Sequence, residues 1–331
     1  MFFALTEDQQ EFAAAVRGYL AERFDLAAVR GVVEDAGNDP GGDGNPATLW
    51  KAAGEQGWLA VTVPEEFDGL GLGLVEAQVI ARALGAGVAP GPWRGTVLAA
   101  EAIRLAGSDE QKATWLPRLA AGTAVGALAG DSALAAVEYG AIADVVVTPD
   151  GHLVTGASST PRGSYDGTVR LADLTGGTVE ELAAAPEIRS RAAVLVAADL
   201  VGIAREALTR TVAYDRERRQ FGVPVGSFQS IKHALADLHC TVTMAEHAAL
   251  YAAHAVDVGA EDAPLAVAVA KAKAGDAAVA STAAMIQYHG GIGYTWEHEA
   301  HLFYKRAKRL AGQWGDSGTH RARIAELTID A

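Results

Sequence analysis

Cysteine is nearly missing from this chain: Cys240 is the one thiol in 331 residues. A lone cysteine excludes an intramolecular disulfide and any multi-cysteine metal site, and it fits the cytoplasm as the expected compartment. Aromatic residues are scarce too, at 7%. Positive charge is the third shortage, with 27 Lys and Arg against 41 Asp and Glu and a formal net charge of −14. Nucleic acid and anionic membranes both require a basic face, so neither is expected as a main partner, and an anionic ligand would need a local basic patch. No uninterrupted apolar run reaches the roughly eighteen residues of a membrane span; the run Ala192 to Ala204 is broken by Asp199. The opening Met1 to Asp8 turns acidic at once and lacks a basic flank, which argues against a secretory signal. There is no internal repeat and no low-complexity tail.

What is abundant is small and apolar. Hydrophobic residues make up 50% of the chain, much of it in Ala-rich runs, and Ala joins high helix propensity to a side chain that lets helix axes approach. The expected fold class is mainly α with a small β domain, and the length allows two or three domains. Thr6 followed by Gln9 has capping-box spacing, and Phe12, Val16, Leu20 and Phe24 recur at four-residue steps behind it, which predicts an amphipathic first helix. Asn38 to Pro46 is a polar Gly/Pro loop expected to be exposed and mobile, and helical patterning resumes at Thr48 to Gln56. From about Gly126 to Glu187 the pattern changes to short β-like runs, Ala143 to Thr148, His152 to Thr155 and Thr168 to Leu174. Beyond Ala192 helical patterning returns, with Phe228, Ile231, Leu235, Leu238 and Val242 marking one apolar face. Four helices are predicted there, at roughly 192–220, 227–257, 263–289 and 297–327, as an antiparallel bundle.

Two stretches carry chemical information. The first is Arg218-Arg219-Gln220-Phe221-Gly222-Val223-Pro224-Val225-Gly226-Ser227-Phe228-Gln229; the second is Ile286-Gln287-Tyr288-His289-Gly290-Gly291-Ile292-Gly293-Tyr294. Either alone could be a capped turn, because Gly and Pro clusters end helices for local reasons. Together, and in this order, they resemble the two signatures of the C-terminal domain of the acyl-CoA dehydrogenases. Gly57 to Gly71 resembles a segment of that family's N-terminal domain, and Gly107 to Lys112 with Leu116 to Gly122 resembles the end of it. The resemblance implies an acyl-CoA dehydrogenase-like fold with an α-helical N-terminal domain (1–125), a shortened middle β domain (126–188) and a C-terminal four-helix bundle (189–331). It implies FAD at a subunit interface, an acyl-CoA substrate and electron-transfer flavoprotein as acceptor. An arginine suits the FAD pyrophosphate because its planar donors fit phosphate oxygens. By this match Arg218, Gln220, Phe228, Gln229, Gln287, His289, Gly290 and Gly291 are the cofactor contacts.

The departures from the family pattern are as informative. The middle segment is about half the usual length and lacks the signatures that cradle the flavin ring; Asp166 to Arg170 echoes a motif of the shorter actinobacterial-type members. Abstraction of an α proton needs a carboxylate tuned to near working pH in a desolvated pocket. The positions where the family places that Glu fall at about Trp314 and at about Val212 or Ala213, neither acidic. Asp316 is the nearest catalytic candidate, although an Asp at a helix start is more often a cap. His298 and His301, with Glu297 and Glu299, are read as structural and not as metal ligands. His233 and His239 are expected to be buried and hydrogen-bonded, and no Ser or Cys sits in a nucleophile-elbow context. The expected function is that of a non-catalytic partner in a heteromeric (α2β2-like) enzyme for bulky acyl-CoA thioesters such as steroid side chains. The alternative is a self-sufficient homo-oligomer with an atypically placed base.

Overall fold

A computed structural model describes residues 4–38, 43–130, 133–183 and 187–329. Asp39 to Gly42, within the loop expected at Asn38 to Pro46, lie outside the described residues. Helices are α1 (Glu7–Arg23), α2 (Leu26–Asn38), α3 (Ala47–Glu55), α4 (Leu74–Ala86), α5 (Trp93–Ala106), α6 (Asp109–Ala120), α7 (Glu187–Glu217), α8 (Gln229–Asp257), α9 (Ala263–Tyr288), α10 (Ala300–Gly312) and α11 (Ser317–Thr328). Strands are β1 (Gly126–Leu128), β2 (Val137–Glu138), β3 (Val145–Val147), β4 (His152–Thr155), β5 (Ser158–Arg162), β6 (Leu171–Thr175), β7 (Thr178–Glu181), β8 (Arg219–Gln220) and β9 (Val223–Pro224). The chain divides into two compact units, one formed by residues up to 26, 78–88 and from 193 onward, the other by residues 27–77 and 89–192.

The second unit holds strands β1 to β7. Strands β1, β3, β4 and β7 form one sheet in that order, with β1 parallel to β3 and the other pairs antiparallel. Strands β2, β6 and β5 form the other. Ala127, Val146, Val154, Ala172 and Leu174 pack as its core. The Asp166–Arg170 stretch folds on itself: the buried Asp166 carboxylate accepts from the backbone N (3.0 Å) and hydroxyl (2.7 Å) of Thr168. Tyr139 braces the same loop, its hydroxyl donating to Thr168 O and accepting from Gly91 N. Helix α6 opens with a second capping box, Ser108 with Gln111.

The first unit is the helical one. Helix α1 begins at the Thr6–Gln9 capping box and buries Val16 and Leu20. Two glycines set the crossing of α4 and α7. A Cβ at Gly85 would lie 2.2 Å from Asp199 O, and one at Gly202 would lie 2.0 Å from Arg82 O, so the two backbones touch where side chains normally intervene. Asp199, which interrupts the apolar run, is buried and accepts a bidentate bond from the buried Arg306 of α10, at 3.1 and 2.7 Å. Glu246 of α8 accepts from both Arg82 (2.5 Å) and Arg205 (2.9 and 2.6 Å). Helix α9 packs against α8, α10 and α11 through an Ala-rich surface.

Two expectations need correction. The helix predicted over 297–327 is two helices: Trp314 and Gly315 take positive φ (56° and 97°), and the Lys271 ammonium, buried in α9, donates to Ala311 O (3.0 Å) and Gly315 O (2.8 Å) inside the break. Burial pushes that ammonium down to about 8, against the attraction of Asp316. His233 and His239 are exposed, because α8 buries Leu235, Val242 and a row of alanines. His239 does meet a partner, accepting from Arg205 Nη1 at Nδ1 (3.1 Å).

The α4–α7 crossing is directly testable. Gly202→Ala is expected to lower the unfolding free energy by more than ~2 kcal/mol, since its methyl must displace backbone and not a flexible side chain. Chemical denaturation of the two proteins measures it, and Gly18→Ala, whose methyl would meet nothing within 4 Å, serves as the control.

Candidate functional site

Helices α7, α8 and α9 alternate in direction, so the C-terminus of α7, the N-terminus of α8 and the C-terminus of α9 fall at one end of the bundle. Both sequence signatures therefore meet there. Tyr214 joins them: its ring stacks on His289 (centroids 4.3 Å apart) and its hydroxyl donates to His289 O (3.3 Å).

The first signature is a tight hairpin. Strands β8 and β9 pair antiparallel, and Phe221 and Gly222 between them both take positive φ (52° and 80°), as a two-residue type I′ turn demands. Glycine accepts that conformation freely, whereas a bulky aromatic is strained in it. Phe221 is nonetheless 93% exposed at the tip, with only an edge contact to Phe228. Arg218 is fixed through its backbone, N donating to Tyr214 O and O accepting from Val225 N, both at 2.8 Å. Among the described residues, the exposed side chains of Arg218, Gln229 and Gln287 make no hydrogen bond. Gln220 donates to Arg219 O (2.7 Å), and Phe228 is the N-cap residue of α8, with no side-chain cap hydrogen bond.

The glycines of the second signature have three different reasons to be glycine. Gly290 has φ +64°, and a Cβ at Gly293 would lie 2.5 Å from Ile286 O. Gly291 has neither constraint: a Cβ there would enter open space. The chain itself does not require glycine at Gly291, which is what close approach by a ligand would require. Beside it Tyr294 is 89% exposed, with Ile292 and Trp296 also exposed. His289 stands apart from the other matched residues. It is buried, Nδ1 donates to Met285 O (2.7 Å), and His298 covers its other side, so its ring supports the turn from within.

The carboxylates sort by what holds them. Asp316 is the N-cap of α11, accepting from the Thr319 backbone N (2.7 Å) and hydroxyl (2.8 Å); these bonds, with Gly318 N–H and Lys271, keep it below the usual carboxylate range. That is the environment of a cap and not of a proton-abstracting base. Trp314 and Val212 supply no acid, the Trp314 carbonyl accepting from His320 Nε2. Glu299 accepts from Arg210 (3.0 Å), His298 accepts from Ala300 N, and His301 stacks on Trp296. Among the described residues no group of three or more His, Cys, Asp or Glu could hold a metal.

One acid was missed by the sequence reading. Asp215, directly after Tyr214, is 1% exposed, and neither carboxylate oxygen has a hydrogen-bond partner among the described residues. Desolvation pushes it up to about 6. It forms part of the wall of a groove of about 940 Å³ between α7 and α8. The signal available in the sequence was an acid at helical spacing from Thr211 and Leu208, on the buried side of α7.

Both signatures thus stand at one end of a helical bundle, with the side chains of Arg218, Gln229 and Gln287 exposed. Residues 6–123 match the acyl-CoA dehydrogenase N-terminal domain and residues 189–328 the acyl-CoA dehydrogenase C-terminal domain. The chain belongs to the acyl-CoA dehydrogenase family. It is 38% identical to acyl-CoA dehydrogenase IpdE2 of Mycobacterium tuberculosis, covering 91% of each chain. It is 32% identical to acyl-CoA dehydrogenase FadE34 of the same organism, over 99% of this chain and 49% of that one. Among solved structures it resembles the Tcur3481-Tcur3483 steroid ACAD G363A variant (TM-score 0.87, 26% identity, 98% of each chain). It also shares the fold of the ChsE4-ChsE5 complex from Mycobacterium tuberculosis (TM-score 0.89, 24% identity, 100% of each chain).

The raised pKa of Asp215 fixes the sign of a pH effect. Its folded-state value lies above the ordinary 3.8, so the folded state holds the proton more tightly; stability is lost as pH rises from about 4 through about 6. Asp215→Asn is expected to raise the unfolding free energy by ~1–2 kcal/mol at pH 8, with the gain disappearing toward pH 4. Urea denaturation at the two pH values checks it.

Proposed function

We propose that this chain is a subunit of an FAD-dependent acyl-CoA dehydrogenase and acts as the non-catalytic partner of a second, full-length family member in a heterotetramer. The observation that carries this reading is the combination at one end of the bundle. Arg218, Gln229 and Gln287 are exposed and make no side-chain hydrogen bond among the described residues, while both positions that should bear the base lack a carboxylate and Asp316 is used as a cap. The exposed Phe221, Tyr294 and Trp296 support it, because aromatic groups held in water beside a ligand turn suit burial against another chain. The likeness to a two-component steroid ACAD supports a heteromer and a bulky acyl-CoA, such as a steroid side-chain thioester.

The residues present fit FAD. Arg218 offers a guanidinium to the pyrophosphate, Gln229 and Gln287 offer amide donors, Gln220 and Phe228 flank them, and Gly290 and Gly291 leave the backbone open to close approach. Bound FAD supplies the hydride acceptor for α,β-dehydrogenation. This chain's residues bind and orient it, and the α proton is taken by a base on the partner. Electron-transfer flavoprotein is the acceptor and the cytoplasm the compartment in this reading; no helix among the described residues is long and apolar enough to cross a membrane.

A second reading has Asp215 in its favour. A desolvated carboxylate with a value of about 6 meets the chemical requirement for a base, which would make the chain self-sufficient.

The flavin-to-protein ratio separates the two. The lone chain is expected to be colourless and the co-expressed pair to carry about one flavin per pair, with Arg218→Ala reducing flavin retention severalfold in the pair. Stoichiometric flavin in the lone chain, bleached by an acyl-CoA and no longer bleached in Asp215→Asn, would establish the second reading.

A further inference from the structure

Beside the crossing of α4 on α7 is a cavity of about 260 Å³, lined by Ala13 and Arg17 of α1, Gln78 and Arg82 of α4, and Gly202 and Arg205 of α7. Each of the three helices thus contributes one guanidinium. In a chain of formal charge −14, three arginines around one small cavity make the local basic patch that an anion requires. Their carboxylate partners do not balance them. Arg82 and Arg205 share the one carboxylate of Glu246. Arg17 is exposed and has no ion pair among the described residues. Glu206 also lines the cavity, but its carboxylate accepts from Arg210 at 2.7 Å, so its charge is already taken up. Burial lowers the Arg82 guanidinium from its usual value; Glu246 opposes this, and Arg205 and Arg17 add to it by repulsion. Arg82 meets Glu246 through Nη2, which leaves the rest of its planar fork for a further acceptor.

Gln78 supplies an independent observation. It is 3% exposed, lines the cavity, and its amide makes no hydrogen bond among the described residues. A buried amide without a partner is costly, and one that lines a cavity finds its partner in what fills the cavity. The chemistry of the lining narrows the occupant. A cation would meet repulsion from three sides. An apolar molecule would leave Gln78 unpaired and the guanidinium groups stripped of water. Water alone would satisfy Gln78 and leave the excess of positive charge. The volume lies below the roughly 300–1,000 Å³ of pockets for drug-sized molecules, which excludes a nucleotide or a whole thioester. A small oxyanion meets every requirement, since its oxygens accept from planar guanidinium forks and from an amide N–H alike.

We infer that the α1–α4–α7 cavity is a site for a small oxyanion, with Arg17 and Arg82 on its oxygens, the Gln78 amide donating to it and Arg205 adding charge behind them. Inorganic phosphate and the carboxylate of a small organic acid share this chemistry. The lining residues all belong to the helical unit of this chain, so the site depends neither on flavin nor on a second subunit.

Calorimetric titration of the lone chain with sodium phosphate and with sodium succinate, at an ionic strength held constant with sodium chloride, tests it. One anion per chain is expected to bind and to raise the unfolding temperature as its concentration rises. Tighter binding of phosphate than of succinate would identify phosphate as the source, and the reverse a carboxylic acid. Arg17→Ala, at an exposed position, should weaken binding of the preferred anion at least tenfold. Gln78→Leu, which exchanges the amide for an apolar side chain of similar size and so keeps the packing of α4, should weaken it severalfold. Arg218→Ala, at the other signature, should leave it as in the wild-type chain. Absence of saturable binding of both anions, wild-type affinity in Arg17→Ala and Gln78→Leu, or loss of binding in Arg218→Ala overturns the inference. The flavin-to-protein ratio of the co-expressed pair is a separate measurement, so failure here leaves the heteromer reading intact, and the converse.

Discussion

Asp199 is the point on which the helical unit turns. Its backbone lies against Gly85 with no side chain between, and its carboxylate takes both arms of Arg306, so α4, α7 and α10 meet at one residue. A buried ion pair is weak as a source of net stability, because desolvation of both charges offsets most of the attraction, but removing one member leaves the other stranded. Its value is in fixing register. The bidentate geometry accepts one rotation and one height of α10 on α7, and the glycine contact does the same for α4. The ends of α7 and α9 inherit their positions from that constraint, and with them Arg218, Gln287 and the glycine turn.

Much of this was legible in the sequence. The Thr6–Gln9 capping box, the β runs near Val145 and His152, and the helices around 229–257 and 263–288 follow from local spacing and composition, which need no tertiary information. The meeting of the two signatures at one end was legible from helix alternation alone. What could not be read was orientation. Helical spacing places Asp215 on the side of Leu208 and Thr211, but its lack of a partner arises only where the turn at Gly226 packs against it. The break after Gly312 depends on Lys271, some forty residues away, whose ammonium holds the carbonyls of the turn. His233 and His239 misled because α8 packs by alanine contacts, which shift its buried stripe away from the larger residues.

The three glycines of the second signature show how a motif can be parsed without an alignment. Gly290 answers to backbone conformation and Gly293 to packing inside the chain, whereas Gly291 is explained by nothing within it. A motif match treats the three alike. Gly291 is the position where neither backbone conformation nor packing within the chain calls for glycine.

The exposed hairpin tip has a consequence for how such a chain lives in a cell. Phe221 is held at a strained backbone angle and shown to water, and Tyr294 and Trp296 are exposed as well. If a second chain covers that surface, as proposed, a copy made without it would leave these aromatic groups in water as a target for chaperones and proteases, and its abundance would then follow the supply of that partner.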